Sequence, residues 1–178
     1  MNYQGLEDLK LIDKFLKNYN EMIVNHFIDK IDKKSYSVLD FGAGIGTLAE
    51  IFYKKTSIKP QCFEICSLSQ IILLQKGFKL QNEFLNEEKY DLIYSSNVLE
   101  HIEQDFEAVA NIKKMLKKNG CLIIVVPAFN FLRSELDNKI GHFRRYDVKT
   151  LKKICNQNDL KIENIKFFDF SGFFILLY

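Results

Sequence analysis

The 178-residue chain holds only 2 Pro and 8 Gly, and no stretch concentrates either. That excludes a Pro- or Gly-rich linker between domains. Internal repeats and low-complexity tracts are also missing. Four cysteines are present, Cys62, Cys66, Cys121 and Cys155, and no two form a C-x-x-C pair. Buried or half-buried free thiols in a reducing compartment are expected, not a disulfide framework. No apolar run approaches the ~20 residues of a membrane span. The first ten residues, MNYQGLEDLK, carry no apolar signal core. These two absences predict a cytoplasmic protein. Charge is nearly balanced, 25 Lys+Arg against 23 Asp+Glu, for a net +2. No concentrated basic face predicts a nucleic-acid partner. The three histidines, His26, His101 and His142, stand far apart in sequence, so no metal site is expected.

What is present is a globular composition, 47% hydrophobic and 27% charged, in a chain of single-domain length. Helical patterns alternate with short apolar runs, as in βαβ units around a parallel sheet. Residues 6–31 read as one or two amphipathic helices. Strands are expected at 37–41, 59–64, 78–83, 90–96 and 121–127, with a last strand or two over 160–168. Helices are expected at 47–55, 68–76, 106–118 (stopped by Asn119-Gly120) and 147–156, the last with Asp147 as N-cap. The run LIIVV (122–126) predicts a central strand covered on both faces. Residues 1–34 read as an N-terminal helical cap and 35–178 as the remainder of one domain.

Ligands of such sheets gather at the carboxyl ends of the strands, so the residues after each strand carry the functional reading. After the first strand comes Asp40-Phe41-Gly42-Ala43-Gly44-Ile45-Gly46-Thr47. Glycines let a turn close tightly and a ligand approach the backbone. The spacing is G-x-G-x-G, with Thr47 where a dinucleotide fingerprint needs its third glycine. The carboxylate of Asp40 suits a cationic or amino-bearing ligand better than a pyrophosphate. A plain structural turn stands beside that reading. Glu64 ends the second strand, either as an acceptor for ribose hydroxyls or as a solvated strand end. After the fourth strand come Asn97, Glu100 and His101. Asn97 is a candidate cofactor contact. His101 is a candidate general base by its near-neutral titration, and both Glu100 and His101 also read as plain helix-entry residues.

Together, VLDFGAGIGTL (38–48), FE (63–64), YDLIYSSNVLEHIEQD (90–105) and GCLIIVVP (120–127) resemble the class I S-adenosyl-L-methionine (SAM)-dependent methyltransferases, in order and spacing. The resemblance covers roughly residues 18–175. NYNEMIVNHFIDKI (18–31) resembles the lead-in helix of bacterial members, and GHFRRYDVKTLKKI (141–154) resembles their G-H-F/Y-R-R-Y segment. It implies a three-layer α-β-α Rossmann-like fold with a mostly parallel sheet. It also implies SAM as cofactor, with S-adenosyl-L-homocysteine as product. Asp40, Gly42, Ala43, Gly44, Gly46 and Asn97 would then surround the methionine part. Glu64 would take the ribose hydroxyls, Ile65 would pack on the adenine, Asn82 or Glu83 would lie near its amino group, and Tyr19 would close over the cofactor.

Such an enzyme would act on a small-molecule, glycan or lipid-intermediate acceptor. No N-P-P-Y-type sequence follows the fourth strand, which favours O-methylation over nucleic-acid or glutamine N-methylation. His101 or His142 is the candidate base. Arg144, Arg145 and Tyr146 are candidates for a phosphate-bearing acceptor; alternatively the arginines pair internally with Glu135, Asp137 or Asp147. The family usually ends on a sixth strand and a seventh antiparallel one. Here Phe173–Tyr178 reads as a short seventh strand or as the stump of a truncated one. The Phe-rich end is also a candidate for peripheral membrane contact. Two other readings are a SAM-binding partner subunit without activity and an NAD-dependent oxidoreductase.

Overall fold

The structure is a computed structural model and describes residues 16–30, 36–84, 87, 89–168 and 174–177. Residues 6–15 and 31 of the expected N-terminal helices, and 169–173 and 178 of the Phe-rich end, therefore lie outside the described residues. Helix α1 spans Lys17–Ile28, β1 Val38–Phe41, α2 Thr47–Thr56, β2 Gln61–Phe63, α3 Ser67–Gln75, β3 Lys79–Leu80 and β4 Tyr90–Ser96. A 3-10 turn at Leu99–His101 precedes α4 (Asp105–Met115) and β5 (Leu116–Pro127). A second such turn at Asn130–Leu132 is followed by α5 (Glu135–Lys139), α6 (Val148–Gln157), β6 (Ile165–Phe168) and β7 (Phe174–Leu177). The seven strands form one sheet in the order β3-β2-β1-β4-β5-β7-β6. The first five run parallel, and β7 is antiparallel to both of its neighbours.

The apolar alternation of the central strands explains why both faces are covered. Val38, Leu92, Tyr94, Ile123 and Val125 share one core with Ile23, Val24 and Phe27 of α1 and Phe52 of α2. Leu39, Phe41, Ile93, Ile124 and Val126 share the other with Val109 and Ile112 of α4 and Leu151 and Ile154 of α6. Successive strand residues point to opposite faces, so a strand buried on both sides must be apolar throughout, as LIIVV is.

The short seventh strand is present. Four residues of β7 pair with β5 on one side and β6 on the other. Paired on both sides, β7 leaves no backbone edge of its own open.

Expected boundaries move at β3, which ends at Leu80, at β6, which starts at Ile165, and at the end of α4. The helix expected over 106–118 ends at Met115, and Asn119-Gly120 is not its stop. The β4–β5 register passes from Leu116 opposite Tyr90 to Cys121 opposite Leu92, so residues 117–120 bulge out of the ladder. Asn119 adopts φ 65°, and a side chain on Gly120 would meet the Tyr90 carbonyl at 3.0 Å.

Candidate functional site

Strand order reverses direction between β1 and β4, which opens the crevice where parallel sheets of this kind bind ligands. The loop after β1 and the turn after β4 meet there. Gly42, Gly44 and Gly46 take φ of 80°, 53° and 85°, the left-handed region that disfavours a side chain. At Gly42 the space is closed as well, because an added Cβ would lie 2.2 Å from Val98 Cγ2. Glycine at 42 thus lets the two loops touch. Gly42 N and Ala43 N donate to the Phe63 carbonyl at 2.8 and 3.1 Å, which hangs the loop from the end of β2.

Asp40 lies on β1, 2% exposed, with Oδ2 lacking a hydrogen-bond partner among the described residues. The Tyr94 hydroxyl is buried in the same condition. Burial pushes the Asp40 carboxyl up to about 8; the Tyr94 hydroxyl works in the opposite sense, and the Glu64 charge adds to the rise. A buried carboxylate with an oxygen left unpartnered is costly, and a cationic group beside it would satisfy it. Glu64 straps the loop: Oε2 accepts from Gly44 N at 2.7 Å, and Oε1 from Ile65 N and Cys66 N at 2.8 Å each. Ile65 beside it is 86% exposed, an apolar side chain open to a partner.

Asn82 and Glu83 follow β3 and are exposed. Cys62 pairs with Leu80, so continuing the parallel register brings Asn82 level with Glu64. Phe84 escaped the sequence reading. It is 42% exposed and lies 5.0 and 5.9 Å from the rings of Phe63 and Phe41, so it walls the same edge. Asn97 is exposed with φ 55°, and its N–H donates to the Val125 carbonyl at 2.9 Å. Tyr19 packs against the core on the α1 side.

A second cluster lies just beyond Val98. His101 and His142, far apart in sequence, meet edge to face with ring centroids 4.7 Å apart. The expectation of three isolated histidines is thus corrected for two of them. Burial, with a contribution from the His142 charge, lowers the His101 pKa. His142 Nδ1 lies 2.9 Å from Asp137 Oδ1, and its Nε2 lies 4.0 Å from Oε1 of the fully buried Glu100.

The two arginines pair internally. Arg145 grips Asp137 through Nε (2.8 Å) and Nη2 (3.1 Å). Arg144 Nη1 lies 2.6 Å from Asp105 Oδ2, and Nη2 donates to the Glu103 carbonyl at 2.7 Å. Of the three pairing carboxylates expected, only Asp137 is used; Asp105 was not foreseen. Asp147 instead caps α6, accepting from Thr150 N at 2.6 Å. Tyr146, expected to touch the acceptor, is a correction: it is 0% exposed and its hydroxyl donates to Asp105 at 2.9 Å. Its backbone also joins the strand end, with Tyr146 N donating to the Pro127 carbonyl at 2.8 Å.

A family profile described as "Methyltransferase domain" matches residues 12–165, and the chain belongs to that family. Its sheet order and glycine loop are those of the Rossmann-like fold of the class I methyltransferase family. A curated relative, named "Probable polyketide synthase 14" from Dictyostelium discoideum, is 25% identical over 184 residues. The match covers 80% of this chain but only 6% of that much longer protein.

Solved structures share the fold. A Haloferax volcanii methyltransferase in complex with the Trm112 methyltransferase activator superposes with TM-score 0.80 at 11% identity, covering 97% of this chain and 94% of its own. A SAM-dependent methyltransferase from Methanococcus maripaludis gives 0.73 at 17%, covering 98% and 92%. The glycopeptide N-methyltransferase MtfA, complexed with sinefungin, gives 0.70 at 13%, covering 89% and 92%.

The residues present fit the cofactor of that family. The orphaned Asp40 oxygen offers an anion to an ammonium, and the left-handed glycines leave backbone close to the crevice. Glu64 and Ile65 offer acceptors and an apolar face at the neighbouring strand end.

Proposed function

We propose that the chain binds SAM at the carboxyl edge of β1, β2 and β4 and transfers its methyl group to an oxygen of a small-molecule, glycan or lipid-intermediate acceptor. The observation that carries this reading is the buried Asp40 carboxylate, one oxygen of it without a hydrogen-bond partner among the described residues, beneath the left-handed glycine loop at the sheet's switch point. Asp40 holds the ammonium of the methionine part, with the Gly42–Gly46 backbone around it and Asn97 facing it from β4. Glu64 exchanges one of its loop hydrogen bonds for the ribose hydroxyls. Ile65 lies on one adenine face, with Asn82 or Glu83 at the base edge and Tyr19 closing from α1. The complex of MtfA with sinefungin supports the same cofactor for this fold.

SAM supplies an electrophilic methyl carbon on a sulfonium. The chain's contribution is to hold the acceptor oxygen in line with it. When bound, SAM would give its methyl group to that oxygen and keep the bonding electron pair on its sulfur. The acceptor's hydroxyl proton passes to a base, His101 or His142. His101, with its lowered pKa, is neutral and able to accept at pH 7. Arg144 and Arg145 act here by building the acceptor-side wall through Asp105 and Asp137. Four free cysteines fit work in a reducing compartment, the cytoplasm. Among the described residues no helix is long and apolar enough to cross a membrane. No specific observation favours the inactive-subunit or nicotinamide readings.

The test is transfer of labelled methyl from SAM to a panel of hydroxyl and amine acceptors, with the product bond identified by carbon NMR. Methyl ether products from hydroxyl acceptors support the reading. Label on nitrogen, with hydroxyl acceptors untouched, overturns O-methylation.

A further inference from the structure

Glu100 presents an unusual condition. It is 0% exposed, and neither carboxylate oxygen has a hydrogen-bond partner among the described residues. Facing it at 4.0 Å is His142 Nε2. The other ring nitrogen of His142 is committed to Asp137 Oδ1 at 2.9 Å. Asp137 is itself held in place, its Oδ1 accepting from Arg145 Nε and its Oδ2 from Ser134 N, each at 2.8 Å. That anchored contact sets the His142 ring so that Nε2 is the nitrogen nearer Glu100. A carboxyl oxygen and a ring nitrogen thus face each other across a 4.0 Å gap. His101 closes the third side, and ligand atoms of Glu100, His101 and His142 all lie within 4.8 Å of one another.

We propose that Glu100, His101 and His142 form a binding site for a divalent transition-metal cation. Two imidazoles and one carboxylate are a ligand set used by catalytic metal sites that keep open positions. The carboxylate–histidine pair of Asp137 and His142 is the outer support that such ligands normally carry. Metal–ligand bonds of about 2.0–2.2 Å bring ligand atoms to about 3–3.5 Å of one another. The present spread therefore closes with roughly an ångström of side-chain rotation. The frame around it is built: Phe143 N donates to the Glu100 carbonyl and His142 N to the Asp137 carbonyl, each at 2.8 Å.

The site adjoins the glycine loop, since Val98, packed against Gly42, is two residues before Glu100. The site stands apart from the O-methylation reading: with an ion bound, His101 and His142 are its ligands, and without one either is free to take the acceptor proton.

The experiment titrates the full chain with Co2+, followed by its visible spectrum, and with Zn2+, followed by calorimetry. Melting curves and SAM titration run in parallel. One equivalent of Co2+ with a visible d–d spectrum, displaced by Zn2+ and accompanied by a rise in melting temperature, is expected. Glu100→Gln keeps the buried shape and removes the carboxyl group a cation would bind; it should retain the fold and abolish the spectrum. His142→Ala should do the same. A folded wild-type chain without a Co2+ spectrum or a Zn2+ shift overturns the site, as does a spectrum that survives both variants. SAM binding without metal binding sinks this inference alone. Metal binding without SAM binding sinks the cofactor reading and leaves the site standing.

Discussion

The two halves of the crevice are built in opposite ways. The β1–β2 half is local in sequence and sparsely bonded. Its glycines, Asp40 and Ile65 lie within 26 residues, and its polar groups are partly unpartnered or open. The half beyond β4 is assembled from residues 100–105 and 137–146 and is densely cross-linked. Asp105 there receives both Arg144 and Tyr146, and Asp137 receives Arg145, His142 and Ser134. The first half has kept its binding capacity for a ligand. The second spends most of its polar groups on itself, and only Glu100 and the two histidines are left facing one another.

If that contrast is right, substitutions in the second half act on folding and those in the first on cofactor affinity. Asp137→Ala should have the largest effect. It leaves Arg145 with its buried partner gone, and losing one partner of such a pair costs about 3–5 kcal/mol. Urea unfolding checks it, and the folded fraction should bind SAM within about twofold of wild type, a ratio under 0.5 kcal/mol.

Gly42→Ala comes next. A left-handed φ and a 2.2 Å approach to Val98 should together cost about 2–4 kcal/mol. Adding Val98→Ala should return part of that stability, since it removes the clash and leaves the strain.

Asp40→Asn should weaken SAM by at least about tenfold, or 1.4 kcal/mol, while leaving the apo fold as stable as before or more so. The sign follows from burial. The folded carboxyl titrates at about 8, and the unfolded one near 3.9. Below about pH 4 both states are protonated and the stability is fully present. As pH rises toward 8 the folded chain holds a proton that the unfolded chain has released, and stability falls. The Asn variant should lose that slope. Holding an ammonium needs both the ionised carboxyl and the protonated amine, so SAM affinity should rise as pH approaches about 8 and fall again above it as the amine loses its proton. Calorimetry across pH 6–9 reads both arms.

Tyr146→Phe should be the smallest change, about 1–2 kcal/mol in urea unfolding. Asp105 would lose one bond and keep Arg144.

Most of the sheet was legible because its signals are consecutive in the chain. YDLIYSS marked β4 at its observed bounds, and Asp147 announced the start of α6. The glycine-loop edge of the crevice was equally readable, because a glycine loop and a strand-end acid are short-range motifs. What the sequence hid was long-range. The Asn119-Gly120 pair reads locally as a helix stop, yet pairing with Tyr90 draws Leu116 into β5 and turns those residues into a bulge. Helix α5, five residues long, is too short for periodicity, although Ser134 and Asp137 carry its N-terminal signal. Glu100, His101 and His142 lie about 40 residues apart, and no local pattern announces that they meet. Phe84 gave no signal beyond being aromatic.

The central claim is that the glycine-loop edge binds SAM through Asp40. Calorimetric titration of the full chain with SAM tests it most directly, with NAD and the Asp40→Asn variant alongside. One SAM site, weakened at least about tenfold in the variant and silent toward NAD, is the predicted result. A folded chain that takes up no SAM, or one that binds it equally well without the Asp40 carboxylate, contradicts the account.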